Sequence, residues 1–117
     1  MADKIKSPDV RGLSSIQTEF DIYQSKAFGS RSSSFFCLEL CGEAGELANL
    51  EKKMWRNPSH SFSKDELGSE AADVFIALFN YCNSRKIDIE QAVAKKLGII
   101  EERRLRGEMG PSNLVES

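Results

Sequence analysis

Histidine is nearly absent from this chain: it occurs once in 117 residues, and cysteine only three times. Cys37 and Cys41 fall on one helix face. With Cys82 and His60 they make a zinc set in number, but the spacing matches no compact zinc module. An odd count of cysteines without an export signal reads as reduced thiols, and thiols in apolar runs behave as small hydrophobes. Prolines number three, and no apolar run approaches the roughly 20 residues that cross a bilayer, which excludes a membrane-spanning helix. Neither sign of charge dominates, and a net charge of −2 gives no general attraction to nucleic acid or acidic membranes. The opening stretch, MADKIKSPDVRG, lacks the apolar core of a signal peptide, so a cytoplasmic location is the expectation. Nothing alternates with period two for long enough to argue a strand. What remains is one domain's worth of all-α chain.

Polar or Gly/Pro-containing ends mark residues 1–12 and 107–117 as expected flexible tails around a domain spanning 13–106. Four helical segments are expected inside it. Ser15 to Lys26 is short and amphipathic, with Ile16, Phe20 and Tyr23 at helical spacing. The serine-rich GSRSSS that follows is a loop whose serines suit the cap of a second helix, about Phe35 to Arg56. Asn57-Pro58 ends that helix. Ser63, with Glu66 three residues on, forms a capping box opening a third helix to about Arg85. Asp88, with Gln91 three on, caps a fourth that ends near Arg106.

The third segment is apolar at nearly every angle from Ala71 to Cys82, which predicts a buried helix. Yet carboxylates sit in the apolar parts of both central helices. On a helix each residue advances about 100°, so positions three, four and seven apart share a face. Glu43 falls on the line of Phe36 and Leu50, flanked by Leu40, Leu47 and Met54, and Glu46 lies one step round. Glu70 shares its side with Leu67, Val74, Ala77 and Tyr81, and Asp73 lies on an adjoining line with Asn80. In the fourth segment Ile89, Lys96 and Arg103 are spaced by seven, bracketed by Ala92, Val93, Ile99 and Ile100, while Glu101, Glu102 and Arg104 point outward. Gly42, Gly45 and Ala48 leave room for a close approach; each helix-interior glycine costs about 1 kcal/mol against alanine.

Four inward carboxylates repel strongly in a low-dielectric site. Lys96 and Arg103 offset half of that charge if they face it, and the remainder suits a divalent cation. A buried salt-bridge network without metal is the competing reading. Hard oxygen donors without histidine favour Mg²⁺, with Mn²⁺ possible, over zinc or non-haem iron. The lack of an ExxH pair argues against a ferritin-like di-iron bundle. Magnesium held by carboxylates keeps positions open for water and phosphates, and basic residues such as Lys52, Lys53 and Arg56 supply anion binding. The parts fit attack of a metal-activated water on a polyphosphate.

Glu43-Ala-Gly-Glu46, then 23 residues, then Glu70-Ala-Ala-Asp73, resembles the ExxE…ExxD signature of MazG-like nucleoside triphosphate pyrophosphohydrolases. The strings CGEAGELANLEKK, ELGSEAADVFIAL and AVAKKLGIIEERR extend the likeness over roughly residues 34–104. The resemblance implies a four-helix bundle-type core of the all-α NTP pyrophosphatase kind. It implies Mg²⁺-dependent hydrolysis between the α and β phosphates, yielding a nucleoside monophosphate and pyrophosphate, as in nucleotide-pool house-cleaning. Glu43, Glu46, Glu70 and Asp73 would be metal ligands and catalytic carboxylates, and Lys53, Lys96 and Arg103 phosphate contacts. Trp55, Phe79, Asn80 and Tyr81 are candidates to touch the base. Where some members read EExxE this chain has Gly42, and Ile100 stands where members often carry asparagine. A homodimer or homotetramer is implied, and the large apolar surface of the third helix points the same way. The alternatives are a phosphoribosyl-ATP, dUTP or dCTP hydrolase of the same fold, and a catalytically silent helical module binding a nucleotide or a protein.

Overall fold

The computed structural model describes residues 3–108, so most of the expected C-terminal tail lies outside the described residues. Four α-helices and no strand occur among them: α1 (Leu13–Ala27), α2 (Ser33–Arg56), α3 (Lys64–Ser84) and α4 (Ile89–Leu105). Their ends follow local chemistry. The Ser32 hydroxyl accepts from Phe35 N at the start of α2. Ser63 Oγ accepts from Glu66 N while Glu66 Oε1 accepts from Ser63 N, completing the capping box of α3. Asp88 accepts from Gln91 N at the start of α4. Gly29, at φ 80°, takes the left-handed conformation that turns the chain from α1 toward α2.

The helices α2 and α3 form the most extensive pairing, with α1 laid on α3 and α4 on α1. The pairing of α2 with α3 is antiparallel. Phe36 and Glu39 meet Ile76 and Asn80 at one end, and Glu43 and Glu46 meet Glu70 further along. An aromatic triangle joins α1 to α3, with Phe20 5.3 Å from Phe79 and Phe75 4.5 Å from Phe79, centroid to centroid. The inward stripe of α2 is the expected one: Phe36 is buried, and Leu40, Glu43, Leu47, Leu50 and Met54 are half-buried.

Three faces differ from the sequence-based expectation. Helix α1 turns Leu13, Gln17, Phe20 and Gln24 toward its neighbours and leaves Ile16 and Tyr23 exposed. The inward glutamine is satisfied, which removes the penalty of burying an amide: Gln17 Nε2 donates to Ile87 O and Gln17 Oε1 accepts from Ile89 N. Helix α4 is rotated as well. Its half-buried line runs Val93, Leu97, Glu101 and Arg104, and Lys96, Ile100 and Arg103 are exposed. The cause is the segment before α1. Ile5 N donates to Glu101 Oε2 and Arg104 donates to Asp3 O, so this segment, rather than the α2–α3 pair, covers α4. Helix α3, finally, is not covered all round: Phe75 and Ile76 are 44% and 41% exposed, because among the described helices only α1 and α2 pack closely on it.

The chain is consequently open. Its radius of gyration is 17.7 Å, against about 13 Å for a compact domain of this length. Large apolar side chains such as Phe28, Leu38 and Trp55 remain exposed. No helix among the described residues is long and apolar enough to cross a membrane.

Candidate functional site

The carboxylates come together because α2 and α3 are antiparallel and both turn an acidic residue into their shared seam. Glu43 sits on the inward stripe of α2 and Glu70 on that of α3, and both are half-buried. One carboxylate oxygen from each of Glu43, Glu46 and Glu70 lies within 4.8 Å of the other two. Asp73 is exposed, one turn along α3. It is close enough to act electrostatically on both Glu43 and Glu70.

The electrostatics of the seam are one-sided. Glu43 is pushed above the ordinary carboxylate range by burial first, and then by Glu46, Asp73, Glu70 and Glu39. Glu70 is pushed the same way by burial first, and then by Glu46 and Asp73. No cation among the described residues contributes to either balance. Glu43 Oε2 and Glu70 Oε2 are buried with no hydrogen-bond partner among the described residues. Buried carboxylate oxygens without partners are rare, because each forfeits its hydration for nothing in return. Protonation of these carboxyls or a bound cation would relieve the repulsion. Oxygens on opposite sides of a divalent ion are about 4–5 Å apart, so the spacing suits one. The donor set is all carboxylate, which fits a hard cation and not a thiophilic one.

The expected basic partners are elsewhere in the chain. Lys53 is exposed near the end of α2, and Lys96 and Arg103 are on the outer face of α4, which packs against α1. Trp55 is 74% exposed, beyond the acidic seam. Asn80 is buried at the other end of the seam, its Nδ2 donating to Gln24 Oε1. Gly42 and Gly45 border an open groove with Glu46, Ala48, Asn49 and Lys52, and a Cβ at either glycine would meet nothing within 4 Å. The two glycines therefore answer no packing demand among the described residues. The thiols are free, Cys37 and Cys41 exposed and Cys82 buried, and none joins a metal-ligand group among the described residues.

Sequence reasoning missed Gln24, Arg31 and Phe28, which line the cleft around Asn80. The signal was the spacing of Gln17 and Gln24, seven apart on one helix face with Phe20 between. Comparison with protein-family models, curated proteins and solved structures gives no match for this chain.

Proposed function

We propose that the chain is a Mg²⁺-dependent nucleoside triphosphate pyrophosphohydrolase, cleaving (d)NTP to (d)NMP and pyrophosphate, with a role in nucleotide-pool house-cleaning. The observation that carries this reading is the pair of buried, unpartnered oxygens, Glu43 Oε2 and Glu70 Oε2, inside a cluster of three glutamates. A cation would satisfy both at once and reverse the repulsion that raises these two carboxyls. Glu43, Glu46 and Glu70 would hold it, with Asp73 alongside. Bound there, Mg²⁺ or Mn²⁺ would neutralise phosphate charge and make water more acidic. The carboxylate oxygens not engaged by the ion would orient a water and accept its proton. The ExxE…ExxD likeness adds the reaction class.

The reading includes self-association as a homodimer or homotetramer. Exposed Leu38, Phe75 and Ile76 would be covered in such an assembly. Lys96 and Arg103, exposed on α4, would reach the phosphates of a second copy's site, because their own α4 is not packed on the acidic seam. Lys53 would contribute from its exposed place on α2. The test is pyrophosphate release from canonical and modified (d)NTPs, phosphoribosyl-ATP included, with Mg²⁺ and with EDTA. Mg²⁺-dependent release is expected, and the ranking names the substrate. No release from any substrate by folded protein would sink the proposal and leave a binding module.

A further inference from the structure

Helix α4 is fastened at its two ends by different means. Its start is bonded to α1 and the residue before it: Gln17 Nε2 donates to Ile87 O, Gln17 Oε1 accepts from Ile89 N, and Ser14 Oγ donates to Asp88 Oδ1. Glu90 Oε1 accepts from Gly12 N and Ser14 N as well. The rest of the helix is held lightly. It buries no residue, and among the described helices it packs closely only on α1. Past its first turn, α4 is hydrogen-bonded to only two distant residues among those described, Asp3 and Ile5. Ile5 N donates to Glu101 Oε2 over 3.1 Å, and Arg104 donates to Asp3 O. Glu101 and Arg104 are themselves a half-buried ion pair, 2.6 Å apart, so a single anchor takes both bonds. Residues 5–8 also wall a hollow of about 230 Å³ against Leu97 and Ile100. Residues 3–9 are exposed, so this segment is tied down by the anchor and not by burial.

A helix pinned at one end and strapped at the other acts as a lever. Lys96 stands seven residues beyond the pinned Ile89 and Arg103 fourteen, about 10 and 21 Å at 1.5 Å per residue. A tilt of about 10° around the pinned end would move Lys96 by about 2 Å and Arg103 by about 4 Å. Charge-assisted hydrogen bonds are about 2.7–2.9 Å long, so a shift of that size takes a guanidinium off a phosphate oxygen. The anchor and the cations occupy different faces. Leu97, Glu101 and Arg104 are half-buried on the strapped side, and Lys96 and Arg103 are exposed. The N-terminal segment can therefore fix the tilt and rotation of α4 without covering the two cations. Local openings are cheapest where few apolar contacts hold an element, which is the condition of this helix.

We propose that residues 3–8 are a strap that aims α4, with Glu101 and Arg104 as positioning residues for Lys96 and Arg103 where these meet a phosphate chain. The assignment rests on the hydrolase reading for the purpose of the two cations, but its test does not require turnover. In the full chain, Ile5→Pro deletes the N–H that Glu101 accepts, and Ile5→Val keeps it. Hydrogen exchange is followed helix by helix, and binding of inorganic tripolyphosphate with Mg²⁺ is measured by calorimetry. Ile5→Pro should lower the protection of amides 97–105 about tenfold while α2 and α3 keep theirs. It should also weaken tripolyphosphate binding by about threefold to tenfold, and Ile5→Val should match the wild type in both measurements. Glu101→Ala removes the acceptor instead of the donor and should give the same two changes should Ile5→Pro not fold. Protection lost equally in all four helices, or in none, overturns the strap. An unchanged tripolyphosphate affinity, or a wild type that does not bind tripolyphosphate, overturns its hold on the cations. Failure of the hydrolase reading is separable. Strap-dependent tripolyphosphate binding without turnover of any nucleotide leaves the strap and removes the hydrolase; turnover with an affinity indifferent to Ile5→Pro does the reverse.

Discussion

Replacing Glu70 with glutamine should raise the stability of the cation-free protein and at the same time remove most of its stabilisation by Mg²⁺. Glu70 Oε2 is buried without a partner among the described residues, and the carboxyl is held above its ordinary range by burial and by Glu46 and Asp73. The amide keeps the shape of the side chain and removes a charge that no cation among the described residues balances. For the wild type, a cation that binds only the folded state adds about 2.7 kcal/mol when present at a hundred times its dissociation constant. For a chain of this size that is a rise in Tm of roughly 10 °C. The variant should melt above the wild type in EDTA, and its Mg²⁺-induced rise should be less than half as large. Differential scanning fluorimetry across a Mg²⁺ series reads both numbers. The pH dependence has a definite sign. A carboxyl whose folded pKa is raised stabilises the fold fully below its unfolded value, here 4.5, and loses that contribution as pH rises through the raised value. In EDTA the wild-type Tm should therefore fall as pH climbs above about 4.5, more steeply than that of Glu70→Gln. A wild type indifferent to Mg²⁺, or a variant shifted equally by it, would refute the reasoning.

Other consequences follow from different parts of the fold. Phe79 is 2% exposed between Phe20 and Phe75, so Phe79→Ala should cost about 3–5 kcal/mol by chemical denaturation; a loss under about 1 kcal/mol would mean the aromatic triangle is not a core. Glu101 is held down to about 2 by its hydrogen bonds from Arg104 and from Ile5 N, so the tie between the N-terminal segment and α4 is complete above 4.5 and lost as pH falls toward 2. The protection factor of the Ile5 amide, its exchange rate divided into the intrinsic rate at each pH, should fall over that interval, and one that does not respond would dissociate Glu101 from the tie. If α4 serves a neighbouring copy, Glu70→Gln and Lys96→Ala/Arg103→Ala, each inactive alone, should regain part of the activity when refolded together. Mixtures no better than their components would place the basic residues in the wrong copy or outside the site.

The helix ends were legible because they are written in short-range chemistry. Ser63 with Glu66, Asp88 with Gln91, and Asn57-Pro58 each act within four residues, and helix boundaries lie within two residues of those read from them. The acidic seam was legible in half: Glu43 and Glu70 interrupt apolar stripes whose period sets their direction, whereas Glu46 and Asp73, expected to face inward with them, are exposed because each lies one step round from its stripe. Two faces were not legible. Polar side chains at Gln17 and Gln24 look solvated by pattern, and only the tertiary hydrogen bonds to Ile87, Ile89 and Asn80 turn that side of α1 inward. The rotation of α4 depends on a segment without helical period, residues 3–8, docking on Leu97 and Glu101. Periodicity reports that a helix has an apolar face; it does not report which neighbour arrives to cover it. The exposure of Phe75 and Ile76 on a helix read as wholly buried has the same origin.

The most direct test of the central claim is ³¹P NMR of the products formed from a mixture of (d)NTPs with Mg²⁺. Cleavage at the carboxylate seam predicts a nucleoside monophosphate and pyrophosphate in equal amounts, abolished by EDTA and by Glu43→Gln. A nucleoside diphosphate with inorganic phosphate, activity that survives Glu43→Gln, or no products at all from the folded protein would contradict it.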